Sequence, residues 1–271
     1  MPMRLLILGG TAFVGRAIVA DALEQGHDVT LFGRGRTGVD LFPGVPRLVG
    51  DRDGDDYTAL RAGADGRGTA WDAVVDVSGY VPRHVAGAMD ALEGLARRYL
   101  FISSNAVYAG PGADEDTPRK EPLRDTEVLD NETYGRLKAA CEDDVVARYG
   151  RRAAVVRPGV VVGPHDTSDS FTYWVRRAAA GGRVALPADP DQPVQVVDAR
   201  AGPARGGRRG PALRRADRTG GRRGGAGGDP ARRRGDGRPA VRVQRVRLDP
   251  GHDALAAAHR RVEPLLGHRA G

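Results

Sequence analysis

Residues 9 to 12, Gly-Gly-Thr-Ala, separate two apolar stretches of different rhythm, and that junction constrains the fold more than any other part of the chain. Before it, RLLIL (Arg4 to Leu8) is a continuous apolar run of strand length, the pattern of a strand buried on both faces. After it, Val14, Ile18, Ala22 and Leu23 recur at helical spacing, and Gly26 falls where a helix end favours a residue tolerant of positive φ. DVTLF (Asp28 to Phe32) then reads as a second strand. Strand, glycine turn, helix and strand over about thirty residues make a βαβ unit, whose crossover is expected to be right-handed and whose strands are parallel.

The alternation continues. RLVG reads as a short strand, Tyr57 to Ala62 as a short helix, AVVDVSG as a strand, and HVAGAMDALEGLARR as a helix with Val85, Met89 and Leu92 on one face. YLFISS is a strand, TYGRLKAACEDDVVARYG a helix ending at Gly150, and AAVVRPGVVVGP one further strand. This rhythm predicts an α/β fold, a doubly wound parallel sheet of Rossmann type. No internal repeat at solenoid spacing is visible.

In that context the turn acquires chemistry. Gly9, Ala12 and Gly15 occupy the three positions of a G-x-x-G-x-x-G loop. Gly9 permits the tight turn, Gly15 lets helix and strand approach, and the helix N-terminus offers unpaired N–H groups to a pyrophosphate. Dinucleotide binding is the expectation. At the end of the second strand an acidic residue would bond the ribose hydroxyls and select NAD. The sequence instead reads LFGRGRT, in which Arg34 is placed to meet a 2′-phosphate and Arg36 reads as a solvated loop charge. NADP is therefore favoured over NAD. In GDRD, Asp51 is placed to touch the adenine amino group, or to serve only a turn.

The second constellation is TYGRLK, which sets Tyr134 and Lys138 four residues apart on one face at a helix start. A phenol with a pKa of about 10 is a poor base unless a cation stabilises its phenolate, and Lys138 is one turn away. FISSNAVY puts Ser103 and Ser104 just past the C-terminal end of a strand, the edge where open α/β sheets bind ligands. A serine there can hold a substrate oxygen while Tyr134 transfers its proton.

Taken together, GGTAFVG, GHDVTLFGRG, GDRD, FISSNAVY, YGRLK and RPGVVVGP resemble an extended short-chain dehydrogenase/reductase of the NAD-dependent epimerase/dehydratase family. Within it, GGTAFVG with GHDVTLFGRG is closer to a branch that includes chloroplast stem-loop RNA-binding proteins. The resemblance covers residues 3 to about 200. It implies Ser104, Tyr134 and Lys138 as a catalytic triad, with Gly9, Gly10, Thr11, Phe13, Val14, Gly15, Arg34, Asp51, Ser78 and Pro158 lining the cofactor. The expected activity is NAD(P)-dependent oxidoreduction, epimerisation or dehydration at a hydroxyl or carbonyl carbon of a sugar-like small molecule. The competing expectations are an RNA-binding protein on a Rossmann scaffold and a cofactor-binding remnant without turnover. Members of the family that take sugar nucleotides carry an arginine near the VQVVD strand, where this chain has Val194 and Gln195. In HDTSDSFTYWVRR, His165 reads as a loop residue, and Tyr173 and Trp174 as core or lid more than as stacking surfaces. Homodimers built by helix pairing are an expectation by analogy of fold.

Composition matters most at the C-terminal end. The net charge of +7 is divided unevenly: residues 201–271 hold 18 Arg and 6 acidic residues, leaving 24 basic and 29 acidic residues of the 42 and 35 in the chain for residues 1–200. The enzyme-like part is mildly acidic. Arg, Gly, Ala and Pro make up 51 of the last 71 residues, without one Phe, Tyr, Trp, Ile or Met, a composition that predicts a disordered tail. Nucleic acid could be bound only through this tail, by phosphate neutralisation, but the stacking aromatics usual in such segments are missing. The composition fits better a G+C-rich gene read out of frame after about Arg200, since codons permissible for Ala201 to Ala204 contain GAC CTG one base over. The expected organisation is a dinucleotide-binding domain over 1–164, a partial substrate-side segment over 165–200 leaving the substrate lobe incomplete, and a low-complexity basic tail over 201–271. The single Cys141, the missing signal peptide and the lack of any run of about 20 apolar residues predict a cytoplasmic protein without a membrane segment.

Overall fold

A computed structural model describes residues 1–62, 70–110, 113–114, 116–180 and 194–201. The readings made of the tail from residue 202 onward lie outside the described residues.

Strands β1 (Arg4–Leu8), β2 (Asp28–Gly33), β3 (Arg47–Val49), β4 (Ala73–Asp76), β5 (Tyr99–Ile102) and β6 (Ala153–Val156) form one six-stranded sheet in the order β3-β2-β1-β4-β5-β6. Every pairing is parallel, with Leu6 opposite Thr30 on one side and Val74 on the other. The apolar runs are continuous because both faces are covered. Leu5, Ile7, Val29, Leu31 and Val75 pack with Val19 and Ala22 of helix α1 (Phe13–Glu24). Leu6, Leu8, Val74, Tyr99 and Phe101 face the other way, onto α2 (Thr58–Ala62), α3 (Pro82–Ala91) and α4 (Tyr134–Tyr149). Helices change face between β1 and β4, so the sheet is doubly wound and its crevice opens there, at the carboxyl ends of the strands.

Helix ends follow local chemistry. Gly26 and Gly150 take φ of +75° and +51° just past α1 and α4, the left-handed backbone that glycine adopts freely. Along α3, Val85, Met89 and Leu92 are buried on one face, as their spacing indicates. Along α1 the buried face is Gly15, Val19 and Ala22, one residue over from the expected Val14 and Ile18, and Leu23 is 36% exposed. Glycine decides this register: a Cβ on Gly15 would run into the Gly9 carbonyl oxygen, so the helix lies down on its bare side.

AAVVRPGVVVGP is two strands, not one. β6 stays in the main sheet, whereas β7 (Val160–Val162) pairs with β8 (Val196–Asp198) in a separate parallel ribbon. Pro158 has no N–H for a ladder. Gly159 lets the Gln195 carbonyl oxygen come within 2.5 Å of where a Cβ would lie, and Val160 N–H donates to that oxygen at 2.8 Å. Between β7 and β8, α5 (Ser170–Ala179) has no buried residue; its Tyr173 and Trp174 meet edge to face with centroids 5.1 Å apart, and both are exposed. His165 sits in the preceding loop at φ +70°.

Candidate functional site

The carboxyl ends of β1, β2, β4 and β5 open onto a cavity of about 600 Å³. One end is built from the glycine turn. Gly9 takes φ +88°, and a Cβ there would lie 2.8 Å from Ser78 Cβ. A Cβ on Gly10 would meet Leu31 Cδ2 at 2.7 Å. The helix N-cap is Ala12, whose carbonyl accepts from Arg16 N–H at 3.0 Å and whose side chain caps nothing. The first-turn amides of α1 are thus left for an anion. Thr11, Phe13, Val14 and Gly15 line the same end. A turn with no room for a Cβ at Gly9, Gly10 or Gly15, backed by a helix N-terminus, fits a dinucleotide pyrophosphate.

Beside β2 and β3 the cavity carries charges of both signs. Arg34 Nη1 lies 3.4 Å from Asp53 Oδ2, and Arg36 Nη2 lies 3.7 Å from Asp51 Oδ2. Asp51 pairs its backbone with Asp56 and accepts Asp53 N–H at 3.2 Å, so it serves the turn and lines the cavity as well. Arg36, expected as a solvated charge, also reaches the cavity wall.

At the opposite end, β5 delivers Ser103 and Ser104. Ser104 Oγ accepts Ala106 N–H at 3.2 Å and caps a single 3₁₀ turn, Asn105–Val107. Asn105 N–H donates to Pro158 O at 2.9 Å, which brings the RPG turn to the same wall. α4 starts with Tyr134-Gly135. A Cβ on Gly135 would penetrate the Ala106 carbonyl, so the bare glycine sets the tyrosine beside the serine turn. Burial pushes the Tyr134 phenol above its ordinary value, and the neighbouring Ser104 hydroxyl works against that shift.

Lys138, one turn on, is 2% exposed. Its ammonium donates to Gly79 O and Ile102 O, both at 2.8 Å, and lies over the Tyr80 and Phe101 rings at 5.1 and 4.6 Å from their centroids. Burial pulls its pKa down to about 8. The ammonium is anchored on two backbone carbonyls, one turn of α4 from Tyr134.

Ser78 lies between the two ends, and its neighbour in space is a residue the sequence reading passed over. Arg52 turns inward and grips Asp76 with both nitrogens, at 2.7 and 2.8 Å, and donates to Ser78 Oγ at 3.0 Å. Asp76, fully buried, also accepts Tyr99 O–H at 2.7 Å. Burial alone would raise this carboxyl, but the Arg52 guanidinium and the hydrogen bonds hold it below the usual value. A carboxylate inside the apolar AVVD strand was the available signal, because a buried charge requires a partner. Ser103 Oγ is buried without a hydrogen-bond partner among the described residues. No cluster of three or more His, Cys, Asp or Glu suited to a metal occurs among the described residues, and no helix there is long and apolar enough to cross a membrane.

Comparison with known proteins gives the same outline. The sequence model of the NAD dependent epimerase/dehydratase family matches residues 5–200. The chloroplast stem-loop binding protein of 41 kDa b of Arabidopsis thaliana is 25% identical over 201 residues, 68% of this chain and 49% of that protein. A 3-beta-hydroxysteroid dehydrogenase of Mycolicibacterium neoaurum is 26% identical over 184 residues, 60% of this chain and 49% of that protein. The chain therefore spans about half the length of the curated relatives it matches. Among solved structures, dTDP-glucose 4,6-dehydratase from Bacillus anthracis, in complex with NAD, superposes with a TM-score of 0.54 at 15% identity, covering 73% of this chain and 68% of that one, a likeness of fold.

Proposed function

The chain belongs to the NAD-dependent epimerase/dehydratase family, and from that premise we propose that it is an NAD(P)-dependent oxidoreductase or epimerase/dehydratase acting at a hydroxyl or carbonyl carbon of a sugar-like small molecule. One observation carries the reading: the glycine turn before α1 and the Ser104–Tyr134–Lys138 group line one cavity. When bound, the dinucleotide supplies the hydride donor or acceptor. Ser104 holds the substrate oxygen by a hydrogen bond, and Tyr134 gives or takes the proton at that oxygen. A phenol whose pKa is raised by burial keeps its proton at neutral pH, so Tyr134 stands ready as an acid toward a carbonyl. Lys138, protonated below about 8, places a positive charge beneath the site and favours the phenolate left after transfer. Gly9, Gly10, Thr11, Phe13, Val14 and Gly15 hold the pyrophosphate, with Ser78 and Pro158 along its path.

NADP is the favoured dinucleotide. Arg34 and Arg36 follow β2, whose carboxyl end, Leu31-Phe32-Gly33, carries no carboxylate, and the arginines' pairings with Asp53 and Asp51 are largely exposed. Such pairs contribute about 0–1 kcal/mol, so a 2′-phosphate can displace them. Titration with NADPH and NADH, followed by the fluorescence of the reduced ring, tests both points: binding to neither overturns the reading, and tighter NADH binding overturns the preference.

A second reading, nucleic-acid binding, is favoured by the name of the Arabidopsis relative and by the 18 Arg of residues 201–271. It predicts RNA affinity that falls steeply with salt and disappears when those residues are deleted.

A further inference from the structure

The turn that follows β4, Asp76 to Gly79, is held from three directions. Gly9 presses on Ser78 from the pyrophosphate side, with no space for a Cβ between them. From beneath, Arg52 donates to both Asp76 carboxylate oxygens and to Ser78 Oγ, and its Nε and Nη2 reach His84 O at 3.3 and 2.9 Å. From the far side, Lys138 Nζ takes Gly79 O at 2.8 Å. Gly79 is itself seated tightly: a Cβ there would lie 3.0 Å from Asp76 Oδ2 and 2.8 Å from the Phe101 ring, the ring under the Lys138 ammonium. Displacing Asp76 therefore displaces one of the two carbonyls that fix the lysine.

We propose that Arg52 is a positioning residue for Lys138, acting through the β4 exit turn, so that the loop after β3 and the lysine at the reacting end form one mechanical unit. Its bearing on turnover rests on the function proposed for Tyr134 and Lys138 above; the positioning itself does not. Three features favour this over a purely stabilising role. A buried ion pair is weak evidence of net stability, since apolar residues of equal volume often replace one without loss. The guanidinium fork matches two carboxylate oxygens and has donors left for Ser78 and His84, which a single ammonium cannot supply together. Finally, every acceptor it takes lies on the exit turn or at the start of α3, next to the carbonyl that Lys138 uses.

The chain has only two lysines, Lys120 and Lys138, so lysine labelled with ¹³C and ¹⁵N gives two side-chain signals, assigned with Lys120→Arg. The signals are titrated in the full chain without dinucleotide. Arg52→Lys keeps the charge and loses the fork, which separates position from field; it adds a third signal from position 52, and the Lys138 signal is then identified by its loss on Lys138→Arg in the same background. The paired Arg52→Met with Asp76→Leu removes both charges together and leaves no buried charge unpaired, and Tyr99→Phe is added to it to remove the hydroxyl that Asp76 accepts. In folded protein, verified by a cooperative melt, both changes are expected to move the Lys138 titration upward toward the ordinary lysine value by about half a unit or more as water reaches the ammonium, with Lys120 unmoved. An unchanged Lys138 titration in either folded protein overturns the proposal. So does failure of both to fold, which would make the pair a stability element. If wild-type protein binds neither NADPH nor NADH, the functional reading falls while the Lys138 displacement is still decided by these spectra.

Discussion

A tyrosine and a lysine four residues apart are ordinary on a helix surface; here their surroundings give each a different task. Tyr134 is kept protonated by burial, and Lys138 is tethered to Gly79 O and Ile102 O. Tyr134→Phe removes the phenolic oxygen proposed to exchange the proton and leaves the ring in place. Turnover should fall about 10²- to 10⁴-fold with an unchanged melting curve and unchanged dinucleotide binding, read by steady-state kinetics and fluorescence titration. The pH profile separates the partners. In the direction that reduces a carbonyl, the proton on Tyr134 is present throughout the neutral range. The limiting change is Lys138, whose charge is full below about 8 and lost above it, so the rate should decline as pH rises through about 8. At this scale the sequence displayed residue types and spacing and little of the electrostatics. Arg52 and Asp76 lie 24 positions apart, and no periodicity links them. Only the oddity of a carboxylate within AVVD pointed to a hidden cation.

Among the elements, the strands were the most legible and the joints the least. β1, β2, β4 and β5 read as strands because a sheet covered on both faces leaves unbroken apolar runs. The face of α1 was misread by one residue because an apolar moment ignores glycine, and it is Gly15 that makes closest contact. The splitting of AAVVRPGVVVGP could have been inferred from Pro158, which cannot continue a ladder, but the partner of β7 lies beyond α5 and left no local trace. Glycine also governs α4. Gly135→Ala would drive a methyl into the Ala106 carbonyl and lever the helix start away from Ser104. The expected cost is about 1–3 kcal/mol in urea denaturation, with loss of turnover exceeding that seen from weaker cofactor binding.

For the whole molecule, the buried Asp76 couples acidity to folding. Its carboxyl is held below its ordinary value of 3.8, so the unfolded chain takes up its proton first as pH falls. The stabilisation is complete above that ordinary value and is lost as pH drops through the lower, folded-state value. Stability measured by urea denaturation should therefore decline steeply below about pH 4 in the wild type, and more shallowly in the protein lacking both Arg52 and Asp76 charges. The mixed net charge behaves differently: the mildly acidic residues 1–200 and the arginine-rich remainder make solution properties salt-dependent without bearing on the fold.

The β7–β8 ribbon implies an order of events. Its strands are parallel and separated by everything from residue 163 to residue 195, so they can meet only after a long loop closes, and they are anchored to the body through Pro158 and Gly159. Loop closure of that kind is entropically slow to be rewarded. The β1–β2, β2–β3 and β4–β5 pairs, whose connections are all shorter than that stretch, should form before the ribbon, and β7 with Val160 should wait beside β6 until Gln195 arrives. The wall of the cavity formed by Gly159 and Val161 would then be the last part of the site to acquire its shape.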